Sequence, residues 1–404
     1  NLFNFSEWTL SSSILTISAA LSCILTGFII NKIGRRGAML LTLVPFLAGW
    51  LMLIDPFNPS MLIIGRMLIG IACGGICVSG IIYCCEITEN STRGTLRSFF
   101  QLLITSGILL AYILGAFFNP QTASLICGII PILFGAFMFF CPESPTYLIM
   151  KGKQKEAMKA LKSVRGEGFE VSSEISELQK EENIRKSKSI SEAIKWKSSI
   201  KSMLLCFGLM FFQQLSGINV VIFYSSEIFQ DARVGMAPEY ATIMIGVVQI
   251  IATFLAYLIL ERFGRRLMLV LSGSLMAMCT LVMGIYFGTK DRDESAVDGI
   301  WWISLLALCV YIAAFFFGFG PVPWLILSEL FSTDIKGIIV PMTGTFYWTL
   351  AFVVTILYPP LHEILGHSTC FFIFTFFNIL GIFFGCYLVP ETKGKSLKEV
   401  QVGE

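Results

Sequence analysis

Eleven stretches of this chain, each 17 to 29 residues long, contain no Asp, Glu, Lys or Arg. They are Thr9–Ile30, Ala38–Ile54, Met67–Cys85, Ser98–Phe118, Thr122–Cys141, Ser202–Ser226, Ala241–Leu260, Leu267–Thr289, Ile300–Ser328, Ile338–Leu361 and Ser368–Val389. At about 1.5 Å per helical residue, each can cross a hydrocarbon core about 30 Å thick. Several hold Gly or Pro (Gly74, Gly75, Pro131, Gly318, Pro321), which membrane helices tolerate. Only 14% of the 404 residues are charged, where a soluble domain carries about a quarter. An all-α membrane protein is the expected class.

The 12 cysteines sit singly or in small groups within these runs. Cys73 and Cys77 lie one helical turn apart and Cys84 and Cys85 are adjacent, but no His or second Cys pair stands at zinc spacing. They read as small apolar helix residues, and neither a metal nor a cofactor is expected. The opening Asn1-Leu2-Phe3 carries no basic segment of a cleavable signal peptide.

Loop charges orient the spans. One set of loops carries Lys32, Arg35 and Arg36, then Arg93 and Arg97, then Arg262, Arg265 and Arg266, then Lys336, then Lys393, Lys395 and Lys398. The alternate set is bland or acidic, with Asp55, Glu227, Asp231, Glu239, Asp291, Asp293, Glu294, Asp298 and Glu363. The basic set is expected to be cytoplasmic, with the C-terminus inside and, for an odd number of spans, the N-terminus outside.

Lys151–Lys201 is the one long polar segment, with 13 Lys/Arg against 8 Asp/Glu. Its apolar spacing (Ala157, Leu161, Val164; Ile175, Leu178) suits short amphipathic helices on the cytoplasmic membrane face. It separates a five-span bundle over residues 1–150 from a six-span bundle over 202–389, followed by a tail over 390–404. The two halves repeat. Asn31-Lys-Ile-Gly-Arg-Arg36 answers Glu261-Arg-Phe-Gly-Arg-Arg266, Glu86 before Arg93 answers Glu329 before Lys336, and Pro142-Glu143-Ser144 answers Pro390-Glu391-Thr392. Duplicated bundles are the mark of secondary transporters whose site lies between the halves. If the halves are equal, the first lacks an opening helix. The chain is then expected to be cut short at its N-terminus, part of a twelve-span protein, and inactive without that helix.

Eight strings in order, Gly34-Arg35-Arg36, Glu86…Arg93-Gly94, Pro142-Glu143-Ser144-Pro145, Gln213-Gln214-Leu-Ser-Gly-Ile-Asn219, Gly264-Arg265-Arg266, Gly320-Pro321-Val-Pro-Trp324, Glu329-Leu-Phe331 and Pro390-Glu391-Thr-Lys-Gly394, resemble the sugar porters of the major facilitator superfamily. The resemblance runs from the second helix of that family to the end of the chain. Within it, Gly208–Asn219 and Pro390–Leu397 are most similar to insect-type facilitated trehalose transporters. It implies two pseudo-symmetric bundles and alternating access of a sugar, with no nucleic-acid partner.

Gln213, Gln214 and Asn219 stand in an otherwise apolar run. At about 100° per residue, Gln214 and Asn219 lie about 140° apart, so a wide cavity or a break at Gly217 is needed to present all three together. Amides suit sugar hydroxyls, offering donors and acceptors without the cost of burying a charge. The plainer reading is interhelical hydrogen bonding, worth about 0.6 kcal/mol per bond. The resemblance adds Trp324, against the sugar ring, and Gln101. Pro321 and Pro323 make the Trp324 span bendable, and a Trp in the interfacial belt is the alternative. Three positions depart from the glucose-carrier pattern: Gln249 replaces Asn, Phe316 replaces Glu and Tyr347 replaces Asn. These changes favour a different or larger sugar.

Arg35, Arg36, Glu86, Arg93 and Glu143 recur as Arg265, Arg266, Glu329, Lys336 and Glu391. They are expected to form ion pairs linking the two bundles when the outside is open, unless they serve only as topology signals. Lys336 replaces the family's Arg and loses its bidentate fork, and Ile81 replaces a family Pro. The eleven runs hold no Asp, Glu, Lys or His to titrate near mid-membrane, which favours uniport. The key Asp of proton-coupled relatives belongs to the helix expected to be missing. Asn4-Phe-Ser6 is a plausible outward glycosylation sequon, whereas Asn90-Ser-Thr92 lies inside. A proton–sugar symporter and a non-transporting sugar receptor are the rivals. No nucleophile–base set or phosphate loop supports an enzyme.

Overall fold

The structure, a computed structural model, describes residues 5–88, 93–166, 171–187, 197–260, 263–297, 299–331 and 333–391. Side chains at 5–8, 93–98, 181, 184–187, 197–199, 259–260, 328 and 333–336 lie outside that description. The expected roles of Asn4 and of the Arg93 and Lys336 side chains therefore fall outside the described residues.

The described residues form helices, with no strand among them. The first half holds α1 (Phe5–Ile33), α2 (Arg35–Leu41), α3 (Leu43–Ile54), α4 (Pro59–Ile87), α5 (Arg93–Phe117) and α6 (Pro120–Phe140). Three short helices follow, α7 (Pro145–Met150), α8 (Gln154–Arg165) and α9 (Ser172–Ser187). The second half holds α10 (Lys197–Leu215), α11 (Ile218–Phe223), α12 (Ser225–Asp231), α13 (Pro238–Leu260), α14 (Arg265–Arg292), α15 (Trp302–Phe317), α16 (Pro321–Leu330) and α17 (Thr333–Tyr387).

Among the described residues, nine helices are long and apolar enough to cross a membrane. All eleven charge-free runs are helical, three of them across helix breaks, and the difference in number has two local causes. The run from Ser202 is broken into α10, α11 and α12, whose apolar part Ile200–Leu215 is short. The last two runs are merged in α17, which kinks at Gly366 with φ 77° and ψ 160°. Helix starts follow ordinary rules: the Asn58 side chain caps α4 through the Met61 N–H at 2.8 Å, and Pro59, Pro120, Pro145 and Pro321 open helices where no N–H is needed.

Within the first half α1 and α3 pack on α4, and α3 packs on α6. Within the second, α14 packs on α15 and α17, and α10 packs on α17. The halves meet along α1 with α17 and α5 with α13. The Thr345 hydroxyl donates to Ala20 O at 3.2 Å across the first seam, and the Tyr112 hydroxyl to Ile222 O at 2.8 Å near the second. Contact between α1 and α4 is backbone-close, because a Cβ at Gly70 or Gly74 would overlap Leu15 O or Ala19 O.

The polar segment makes its own small core from Leu148, Ile149, Ala157, Leu161, Val171 and Ile175, with Leu178 packed against it. Val164 instead stays exposed. Arg165 fastens this unit to the end of α4, with one arm on Glu174 at 2.8 Å and another on Ile87 O at 2.8 Å.

Candidate functional site

The amide motif sits at a real break. Helix α10 stops at Leu215 and α11 starts at Ile218, with Gly217 between them in the left-handed region at φ 93°. A break strands carbonyls that a continuous helix would satisfy. Here Ser216 O accepts from the Tyr311 hydroxyl at 2.9 Å and from Asn378 Nδ2 at 3.4 Å. A second break, at Gly318–Gly320 before Pro321, is closed by Gln213, whose Nε2 donates to Gly320 O at 3.1 Å. The two breaks therefore hold each other. Gly217→Ala would place a Cβ 2.7 Å from the Phe374 ring in a conformation that L side chains avoid. The expected loss is about 1–3 kcal/mol. A fall in the thermal midpoint of the solubilised protein would show it, and an unchanged midpoint would disprove it.

Because the chain turns at Gly217, Asn219 Nδ2 reaches back and donates to Gln214 Oε1. Gln214 is fully buried, and its Nε2 has no hydrogen-bond partner among the described residues. The Tyr347 hydroxyl faces Gln214. Trp324 and Trp348 meet the Tyr347 ring edge-on, with centroids 5.3 and 5.4 Å away. Gln213 Oε1 is likewise buried with no hydrogen-bond partner among the described residues, and the buried Trp348 Nε1 has the Cys77 thiol beside it. Unpaired buried polar atoms cost about 1–3 kcal/mol each, so a ligand rich in hydroxyls recovers energy here that an apolar one does not. Aromatic faces beside the amides suit the C–H side of a ring.

The other expected residues divide. Gln249 on α13 is fully buried with neither amide atom partnered among the described residues, so it is equipped for the same chemistry, although no hydrogen bond among them joins it to Gln214. Gln101 is half-buried on α5, and no hydrogen bond among the described residues ties it to the cluster. Phe316 is 3% exposed in the main apolar core, edge-on to Phe315 at 5.2 Å. Two features escape the sequence. Trp348 stands beside Tyr347 in plain view, but only packing shows its indole N–H buried, with the Cys77 thiol beside it. Arg66 lies just before the charge-free run that starts at Met67, whereas α4 begins at Pro59 and carries Arg66 inside its span, with no hydrogen bond or ion pair to a described residue.

The charged motifs form two copies of one device. In the first half, Glu143 Oε1 accepts from the backbone N–H groups of Arg35, Arg36 and Ser144 at 2.9, 3.1 and 2.8 Å. Arg35 pairs with Glu86 at 2.7 Å, and Glu86 also accepts from the Ser144 hydroxyl. Arg36 turns to the α6 end, donating to Met138 O at 3.1 Å. In the second half, Glu391 accepts from the N–H groups of Arg265 and Arg266 at 2.9 and 3.3 Å, and Arg265 pairs with Glu329 at 3.0 Å. A carboxylate at the start of a helix is favoured by its exposed N–H groups and dipole. The pairs Arg35–Glu86 and Arg265–Glu329 each join residues of one half, whereas the links between bundles were expected when the outside is open. The physical reason is reach, since each glutamate is held by the adjoining Gly-Arg-Arg turn of its own half.

Two helical halves, related motifs in each, and a polar–aromatic cluster at paired helix breaks define a two-bundle membrane transporter. The protein belongs to the Sugar (and other) transporter family, whose model matches residues 4–403. Facilitated trehalose transporter Tret1 of Apis mellifera ligustica is 37% identical over 96% of this chain and 78% of its own length. That of Aedes aegypti is 33% identical over 96% of this chain, which spans about half (48%) of that relative's length. In fold, the chain is similar to the proton:xylose symporter XylE bound to 6-bromo-6-deoxy-D-glucose. That match has a TM-score of 0.82 and 24% identity, covering 98% of this chain and 89% of that one. The protein is a transporter and not an enzyme.

Proposed function

We propose that this protein moves a sugar, trehalose or a hexose, passively across a membrane by alternating access. The observation that carries the reading is the cluster of Gln214, Asn219 and Tyr347 beside Trp324, with buried amide groups left to receive hydroxyls. The trehalose relatives support a disaccharide, as does the loss of a carboxylate and an amide at Phe316 and Tyr347. The bundles extend over 1–150 and 202–389, with 151–201 as linker and 390–404 as tail. The Gly-Arg-Arg face is cytoplasmic, by its excess of Lys and Arg, and the plasma membrane is the proposed residence. Gln213, Gln214, Asn219, Gln249 and Gln101 bind hydroxyls, Trp324 covers the ring, and the bundles rock about the α1–α17 and α5–α13 seams. The two Glu–Arg devices stiffen each bundle at its cytoplasmic end so that it moves as a unit.

The test is radiolabelled trehalose and glucose uptake in cells expressing the full-length transporter, with and without a protonophore. Saturable uptake that stops at the external concentration and ignores the protonophore establishes the passive carrier. Arg66 favours a second reading, because a cation inside a span with no ion pair among the described residues marks functional sites and invites a titrating partner. Uptake above the external concentration that collapses with the protonophore would establish a symporter instead. Tyr347→Asn restores the amide of the glucose-carrier pattern. It is expected to shift the glucose-to-trehalose uptake ratio at least about fivefold toward glucose, on the order of 1 kcal/mol. An unchanged ratio would remove Tyr347 from selectivity.

A further inference from the structure

Both histidines of the chain meet at one place, at the end of the molecule opposite the Gly-Arg-Arg turns. His367 follows the Gly366 kink of α17. Its Nε2 lies 2.8 Å from Asp231 Oδ2 at the end of α12, and its Nδ1 lies 3.0 Å from the Tyr358 hydroxyl. The His362 ring is 4.5 Å away, and Phe287 of α14 lies against the imidazole at 4.8 Å. The contact continues inward. Tyr358 packs on Tyr224 at 5.4 Å, Tyr224 donates to Thr355 O at 3.1 Å, and Ser12 and Ser13 of α1 face its hydroxyl from the other half. Tyr224 thus sits on the seam between halves, and His367 sits behind it.

The proton count of the imidazole decides whether this chain of contacts is satisfied. A neutral His367 donates from Nε2 to Asp231 and accepts at Nδ1 from Tyr358, so every group has a partner. A second proton turns Nδ1 into a donor. The Tyr358 hydroxyl must then send its own hydrogen elsewhere, yet Tyr358 is 3% exposed and has no other partner among the described residues. Charged His367 also faces His362 at close range. The opposing gain, attraction to Asp231, is weakened because that side chain is 48% exposed. The remaining charges around the imidazole are Glu227 on α12, whose carboxyl is pushed up by burial and by Asp231, Lys290 and Asp291 at the end of α14, and Glu363 on α17. Three of the four are carboxylates and one is an ammonium; Glu227, Asp291 and Glu363 are exposed and Lys290 is half-buried, so solvent screens their pull on the imidazole.

We propose that His367 is a proton-operated latch on the outward seam: neutral, it holds Tyr358 against Tyr224 and keeps the seam shut; protonated, it releases them. Histidine is the side chain whose charge changes between about pH 5 and 8, so external acidity sets the fraction of carriers open to the outside without a proton being transported. The outward assignment and the effect on uptake rest on the passive-carrier reading, whereas the seam motion does not.

The test labels Ser12→Cys with a membrane-impermeant maleimide at external pH values of about 5.5 and about 7.5, which bracket the ordinary histidine range. Each rate is normalised to the same protein unfolded in detergent at that pH, and labelling of the parent protein is subtracted. The expected result is labelling at least about fivefold faster at the acidic value, abolished by His367→Gln. Tyr358→Phe, which cuts the link downstream, is expected to label fast at both values. Equal normalised rates at the two pH values, or an acid step that survives His367→Gln, would overturn the latch. A pH step in labelling with no sugar uptake would keep the latch and sink the carrier reading. Uptake with no pH step would do the reverse.

Discussion

Replacing Gln214 by alanine is expected to lower sugar uptake at low substrate concentration at least about tenfold, while surface abundance stays near that of the parent. The side chain is fully buried, accepts from Asn219 and faces Tyr347, and its Nε2 is unpartnered. Truncation removes a donor to the sugar and also strands Asn219 and Tyr347, whose polar groups then meet a methyl. Two hydrogen bonds at about 1 kcal/mol each give roughly a 30-fold loss, and incomplete rearrangement of Asn219 lowers that figure. Folding is less affected, because no backbone group depends on this amide. Gln213→Ala is the informative contrast. Its Nε2 closes the break at Gly320, so stability as well as uptake is expected to fall. Uptake by Gln214→Ala within about twofold of the parent, at matched abundance, would remove the amide motif from the binding site.

Gly34→Ala is expected to destabilise the protein by about 3–5 kcal/mol, far more than Gly264→Ala, although the two residues occupy equivalent places in the repeat. At Gly34 φ is 92°, which only glycine adopts without strain, and a Cβ would overlap the Glu143 carboxylate. Displacing that carboxylate strands three backbone N–H groups and loosens the Arg35–Glu86 pair, whose side chains are 6% and 15% exposed. At Gly264 φ is −71°, so an added Cβ meets Glu391 without backbone strain. Thermal unfolding of both variants in detergent, with surface abundance in cells, would compare them. Equal losses would mean that the backbone conformation at Gly34 carries no special cost.

Much of this was legible in the residues because the bilayer is an undemanding reader. A run without charge, long enough to cross hydrocarbon, has to be helical, and all eleven such runs are, three of them across helix breaks. The repeat was legible because the same Gly-Arg-Arg, Glu and Pro-Glu elements recur in order. Angles alone called for either a wide cavity or a break at Gly217, since Gln214 and Asn219 do not share a face of a continuous helix, and the structure has the break. Helix ends were less legible. Arg66 hides because a lone cation ends a charge-free run without ending a helix.

Sequence alone therefore determined the class of protein, its helical content, the twofold repeat, and which polar residues stand where an apolar one would do. Tertiary structure alone decided partners. Glu143 accepts from the N–H groups of the adjoining Gly-Arg-Arg turn within 3.1 Å, and Glu86 pairs with the Arg35 guanidinium of that same turn at 2.7 Å. Gln213 closes the Gly320 break while Gln214 keeps a free donor, a division that two identical neighbours in a sequence do not reveal. His367, an unremarked residue after a glycine, joins Asp231 across 136 positions. Hydrophobic burial depends on the solvent a stretch can tolerate and is written locally. A hydrogen bond depends on distance and direction between groups far apart in the chain, and those exist only once the helices have packed.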